Sequence, residues 1–394
     1  MGFENHLTFA KFSSSSNSTK TIEQLQTVNS VPVPAKTGVI INELKINNEY
    51  RNEAQVHLDK ILKPYEHEKR EVRKTILFLH GGGYIFLRKE SHHPITSSLA
   101  KIANARVLVI NYRLAPQNQF PAALHDALAA YLYLLNPPKD AGFEPLNPKN
   151  IVFAGNSAGG GLSLDLGLAI RDAGLSSSGG IIGSSPWVDL TVSMPSRVSD
   201  ECVDFIPNRK GGGTADNFTE SQASKEYKEK DAALAAKIKN QNLGPKIWHD
   251  SFNRPGGRLQ LYLKAYAMLL TVGDDERLLD EVIYFAHRAA EPTRYKGPSY
   301  NAGKFEKSPF QTPTNTTLEI YEEMPHDFQM LMEHVCTTKS YERMAEFINR
   351  VTNILNEPLP PSSYNCVNVK GEFGPLKERH EKCLNWDKIG IVPS

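Results

Sequence analysis

Two short glycine-rich stretches carry the chemistry that this sequence could do. The first is Gly155-Asn156-Ser157-Ala158-Gly159, which breaks the apolar run Ile151 to Ala154 and leads into a helix-like segment from Leu162 to Asp172. Strand, tight turn and helix are the setting in which a serine stands at the apex of a strained elbow as a nucleophile. Gly155 and Gly159 would let strand and helix approach closely. The second stretch is His80-Gly81-Gly82-Gly83-Tyr84, directly after the apolar run Thr75 to Leu79. A serine attacking an acyl carbon needs N–H donors for the oxyanion that develops. Consecutive glycines can turn theirs inward without obstruction, so Gly82 and Gly83, with Ala158, are the candidate donors. His80, Gly81 and Asn156 support the two turns, His80 as a brace for the glycine loop. Neither stretch has the pattern of a phosphate-binding or dinucleotide loop.

Such a serine needs a base, and the base needs an acid to orient it. His326 follows the strand-like run Leu318 to Tyr321 and is flanked by Met324, Pro325 and Phe328, a loop setting that the other eleven histidines lack. It would take the Ser157 proton and return it to the leaving group. Asp274, Asp275 and Glu276 all follow the run Tyr266 to Val272, and any of the three could reach an imidazole. The chain order is then serine, acid, histidine.

These motifs resemble those of the hormone-sensitive-lipase-like esterases and lipases, α/β-hydrolases marked by H-G-G-G and G-x-S-A-G. The likeness extends to Asn111-Tyr-Arg-Leu-Ala-Pro116 and Phe120-Pro-Ala-Ala-Leu-His-Asp126, with Gln117 where the family usually has Glu, and to Ser185-Pro-Trp-Val-Asp-Leu-Thr191. It covers roughly residues 72 to 355 and is poor between about 195 and 265. The resemblance implies an α/β-hydrolase fold, a mostly parallel sheet with helices on both faces, under a cap built from the N-terminal region and an insertion. The family's acid is followed by leucine two residues on and a second acid four residues on; Glu276, Leu278 and Asp280 match, while Asp274 and Asp275 stay as alternatives. Gly257 to Ala265 enters the acid-bearing strand abruptly, which implies a shortened cap.

The activity implied is that of a serine carboxylester hydrolase without metal or cofactor. It would cleave small esters of short to medium acyl chains, or acetyl esters of a larger alcohol such as a sterol, through an acyl-serine. Two other readings are a lipase at a lipid surface, for which no amphipathic anchor is evident, and a small-molecule receptor. Gibberellin receptors resemble this family but lack the histidine, so His326 argues against a receptor. Arg113 and Asp126 are read as a structural ion pair.

The elements that must position these residues alternate. Pro94 to Ala103 reads as a helix, Arg106 to Tyr112 as a strand, and Pro121 to Leu135 as a helix with an apolar stripe. Gly180 to Ser184 and Tyr266 to Val272 read as strands, Asp280 to Ala290 and Ser340 to Leu355 as helices. Val39 to Ile46 alternates like a strand, and Arg51 to Lys63 is weakly helical. Between Met194 and Arg258 the rhythm stops; Ser224 to Asn240 reads as a solvated helix in an insertion. The organisation expected is an N-terminal tail and cap contribution (1–70), a catalytic domain (71–355, with the insertion at 195–258) and a C-terminal tail (356–394).

At 394 residues the chain can bury a large core, about 75% of its unfolded surface. A net charge of +1 argues against an electrostatic nucleic-acid binder. Cys202, Cys336, Cys366 and Cys383 form no C-x-x-C pair, which fits a reducing, cytoplasmic setting. No signal peptide, myristoylation motif or apolar stretch of about 20 residues is visible.

Overall fold

Six of the apolar runs become parallel strands: β1 (Thr75–Leu79), β2 (Arg106–Ile110), β3 (Ile151–Asn156), β4 (Gly180–Ser184), β5 (Ala267–Gly273) and β6 (Asn315–Tyr321). The structure, a computed structural model, describes residues 26, 39–44, 46–59, 74–115, 117–190, 194–200, 202, 204–206, 267–295, 312–353 and 358–385. The helix read at 224–240, the entry at 257–265 and most of the insertion lie outside them. Seven helices are described: α1 (Asn48–Asp59), α2 (His93–Ile102), α3 (Ala122–Leu135), α4 (Ala158–Asp172), α5 (Leu279–Ala290), α6 (Phe328–Leu331) and α7 (Val335–Val351).

Two more strands, β7 (Ser363–Val367) and β8 (Phe373–Pro375), complete one eight-stranded sheet in the order β2-β1-β3-β4-β5-β6-β7-β8. Every pairing is parallel except that of β7 with β8. β1, β3, β4 and β5 are largely apolar because helices cover both faces, whereas β6 also carries Asn315, Thr316, Thr317 and Glu319. Leu77, Leu79, Phe153 and Leu270 face one core, shared with α3, α4 and α5. Ile76, Phe78, Val152 and Leu269 face the other, shared with α2 and α7.

Several readings change, among them the last helix of the domain, which begins at Val335 rather than Ser340. The helix after the serine begins at Ala158 rather than Leu162, so glycines 159 to 161 are helical despite their poor propensity. Tertiary packing explains it: a Cβ on Gly159 would collide with the carbonyl oxygens of Leu79 and His80 at the end of β1. The strand expected at 39–46 does not form in the described residues there, 39–44 and 46, and Ile40 and Leu44 stand exposed. Alternation makes a strand only where a neighbouring ladder takes up the backbone hydrogen bonds. The segment read as a tail instead supplies β7 and β8 and a 3-10 turn, Glu378–Asn385, against α5.

The close packing of β1, β3 and α4 predicts a sharp contrast between two glycines. A Cβ on Gly155 would meet the Gly159 carbonyl and lie 2.6 Å from the Leu79 oxygen, all backbone, whereas Gly374 has nothing within 4 Å. Gly155→Ala should lower unfolding free energy by at least about 3 kcal/mol, the upper range for over-packing, and Gly374→Ala should stay within about 0.5 kcal/mol. Urea titration of the two variants checks the difference.

Candidate active site

Each chemical piece lies just past the C-terminal end of a parallel strand, and the five strands concerned, β1, β3, β4, β5 and β6, are adjacent in the sheet. That edge is where open α/β sheets place their ligands. Ser157 follows β3 with φ +52° and ψ −124°, a strained conformation for a residue with a Cβ. Its N–H donates to the Ser184 carbonyl at 2.9 Å, and its carbonyl accepts from the N–H groups of Gly161 (3.1 Å) and Trp187 (2.9 Å). The elbow is therefore pinned to the end of β4.

The glycine loop after β1 lies against this elbow. A Cβ on Gly81 would sit 3.2 Å from the Ser157 Cβ. The Gly81 N–H donates to Asn156 Oδ1 (3.0 Å) and to His92 Nε2 (3.2 Å). Gly82 and Gly83 have φ of +111° and +62°, and a Cβ on Gly82 would strike the Phe86 carbonyl. Among the described residues no backbone carbonyl takes a hydrogen bond from the N–H of Gly82, Gly83 or Ala158. His80 stacks on Tyr112 with ring centroids 4.2 Å apart, and the Tyr112 hydroxyl donates to the His80 carbonyl at 2.6 Å. Burial pushes His80 down to about 4 and, with the neighbouring His80 ring, His92 down to about 3. Both rings are neutral near pH 7, which leaves His92 Nε2 able to accept the Gly81 N–H.

After β6 the fully buried His326 places Nδ1 3.2 Å from Glu276 Oε1. Glu276 is 0% exposed, and its other oxygen accepts the Ser185 hydroxyl (2.6 Å) and the Gly273 N–H (2.9 Å). Of the three carboxylates after β5, this is the one brought to the imidazole. Asp274 turns toward the C-terminal segment instead, accepting the Glu323 N–H at 2.7 Å and pairing with Arg379 and His380. The Asp275 backbone N–H donates to the Met324 carbonyl at 3.2 Å. Asp280 accepts the Ser196 N–H at 2.8 Å, so the second acid of the spacing holds the chain after β4 to the start of α5. Burial by itself pulls His326 down, but the carboxylates of Asp327 and Glu276 overcome it and raise the imidazole to about 9.

Two residues that the sequence reading did not single out complete the cluster. Ser185, in the left-handed region at φ +44°, bonds Glu276; Asp327 flanks the imidazole from its other side. Ser185 opens a segment already matched to the family, and nothing in its residue type marked it as a partner of the acid. Arg113 pairs with Asp126 at 3.1 Å, joined by Arg51 at 2.6 Å, between the end of β2 and α3. No three His, Cys, Asp or Glu side chains converge on a metal position among the described residues.

A family model described as alpha/beta hydrolase fold matches residues 76–241. A solved esterase from the bacterial hormone-sensitive lipase family aligns over 89% of this chain and 98% of its own, with a TM-score of 0.59 at 21% identity. This chain is an α/β-hydrolase in fold. Acetyl-hydrolase of Streptomyces hygroscopicus is 40% identical over 137 residues, 35% of this chain and 44% of that protein. Hormone-sensitive lipase of Bos taurus is 27% identical over 221 residues, 53% of this chain and 28% of the lipase. The chain thus spans less than half the length of these curated relatives. The resemblance to hormone-sensitive-lipase-like proteins stands in the curated relatives, while the family model and the solved esterase share the fold. No helix among the described residues is long and apolar enough to cross a membrane.

A buried carboxylate with three partners is sensitive to the loss of one. Ser185→Ala should lower unfolding free energy by about 1.5–3 kcal/mol, the range for a hydrogen bond to a charged group. An unchanged denaturation midpoint would show that the Ser185 hydroxyl does not support Glu276.

Proposed function

We propose that the chain is a serine carboxylester hydrolase acting on small esters through an acyl-serine. The observation that carries the reading is the buried His326–Glu276 contact on the strands beside the strained Ser157. In this reading Glu276 keeps the proton on Nδ1, so Nε2 is the basic nitrogen that draws the proton from Ser157. The alkoxide attacks the ester carbonyl, and the N–H groups of Gly82, Gly83 and Ala158 receive the negative charge of the tetrahedral intermediate. His326 then protonates the leaving alcohol, and water releases the acyl group by the same route.

Substrates in this reading have short to medium acyl chains, or are acetyl esters. Three things support it: the names of the relatives, the Tyr84 and Trp187 rings 6.1 Å apart beside the elbow, and the Phe205 ring 5.6 Å from His326. In this reading the N-terminal region and residues 195–258, most of which lie outside the described residues, would supply the cap. Gln26, whose amide donates to the Ile85 carbonyl at 2.8 Å next to the glycine loop, supports the N-terminal share. Four free cysteines fit a cytoplasmic setting.

The test is hydrolysis of p-nitrophenyl esters from acetate to palmitate, with fluorophosphonate labelling mapped by mass spectrometry. The label should fall on Ser157, and Ser157→Ala should abolish both; a label elsewhere, or none, refutes the reading. Glu276→Gln should lower kcat by roughly 10³ to 10⁴, as in other triads. Asp274→Asn should loosen the Arg379 contact and cost far less activity. If Asp274→Asn is the crippled variant, Glu276 is not the acid.

A further inference from the structure

The His326 imidazole has a carboxylate on each side, and the hydrolase reading uses only one of them. Asp327 Oδ2 lies 3.5 Å from His326 Nε2, the nitrogen opposite the one that meets Glu276. The same oxygen accepts the Asn156 side-chain amide at 2.9 Å. Asn156 in turn accepts the Gly81 N–H, so one side chain touches both the histidine loop and the glycine loop.

Asp327 stands at the N-cap of α6, and an aspartate there ordinarily accepts from its own helix. It does not: no side-chain cap bond forms, and its backbone is left-handed, φ +54° and ψ +31°. Its N–H donates instead to Ser185 Oγ at 3.3 Å, and the carboxylate, only 12% exposed, turns toward the imidazole. Among the described residues its Oδ1 has no hydrogen-bond partner. A carboxylate buried in this way is costly unless a cation answers it.

We propose that Asp327 is a positioning residue of this site, holding the His326 imidazole from its Nε2 side and tying the histidine loop to the glycine loop through Asn156. The inference rests on the serine-hydrolase reading for its catalytic meaning, though not for its geometry. Its consequence follows from charge. Glu276 and Asp204 also face His326, and Tyr341 of α7 faces Asp327, but Asp327 is the carboxylate beside the nitrogen that receives the serine proton. It favours the imidazolium, which helps once the proton has arrived. It also withholds the neutral base until the pH is higher, so the acid limb of kcat/KM lies on the alkaline side.

Asp327→Asn keeps an oxygen for Asn156 but removes the charge; Asp327→Ala removes both. The full-length wild type and both variants are compared by NMR titration of the His326 ring, assigned with His326→Gln, and by pH profiles on p-nitrophenyl acetate. In Asp327→Asn the titration midpoint and the acid limb should fall together by about 1 unit, the low end for an opposite charge at this range. Asp327→Ala should show the same fall and also lose about tenfold in plateau kcat, as expected for misplaced reacting groups. An unmoved midpoint in Asp327→Asn overturns the proposal, and equal plateau kcat in the two variants overturns the bridge. A wild type that hydrolyses no ester refutes the hydrolase reading, while the NMR midpoints still decide the part of Asp327.

Discussion

The arrangement depends on one buried carboxylate. Glu276 has no access to water, so its charge must be answered from within the fold. The answers come from three strand ends: the Ser185 hydroxyl after β4, the Gly273 N–H at the end of β5, and the His326 ring after β6. None of the three can move far without stranding a charge where no solvent can screen it. The carboxylate thereby holds its neighbours, and the histidine is held with them.

The sheet order makes that convergence possible. β1 and β3 are neighbours although β2 intervenes in sequence, so the glycine loop and the elbow come to lie side by side. Parallel strands put all their C-terminal ends on one edge, and crossover helices carry the chain back beneath. The backbone of the turn after β5 bonds to that of the turn after β6 through Asp274 N–H to Tyr321 O (2.9 Å) and Asp275 N–H to Met324 O (3.2 Å). These bonds join the acid-bearing turn to the one that carries His326. The C-terminal segment adds to this from outside, with Arg379 and His380 on Asp274 and Lys377 on Glu322.

The site also joins two electrostatic regimes. Among the described residues no carboxylate lies near enough to His80 and His92, at the glycine loop, to offset burial, and both are held neutral. His326 is equally buried, but Glu276 and Asp327 raise it. Burial of the same ring type gives opposite outcomes because the neighbours differ, and those neighbours come from distant parts of the chain.

Much of the framework was legible in the sequence. Most core strands and the helices between them announce themselves as apolar runs of the right length, because a strand covered on both faces has little polar side to show, whereas β6 showed only its second half, Leu318 to Tyr321. G-N-S-A-G and H-G-G-G were legible because a strained elbow and inward-facing N–H groups are backbone demands that few residue types meet. The alternation at 39–46 misled, since a strand needs a partner that no local pattern names. The run 363–367 escaped notice because its strand character comes from the open edge of β6. Ser157 and His326 stood out by local context. The spacing to Leu278 and Asp280 favoured Glu276 and left Asp274 and Asp275 open; the contact of Glu276 with His326, the Ser185 bond and the approach of Asp327 to Nε2 came from the tertiary structure. Adjacent acids in a turn differ only in where their side chains point, and the packing of β4, β5 and β6 sets that direction.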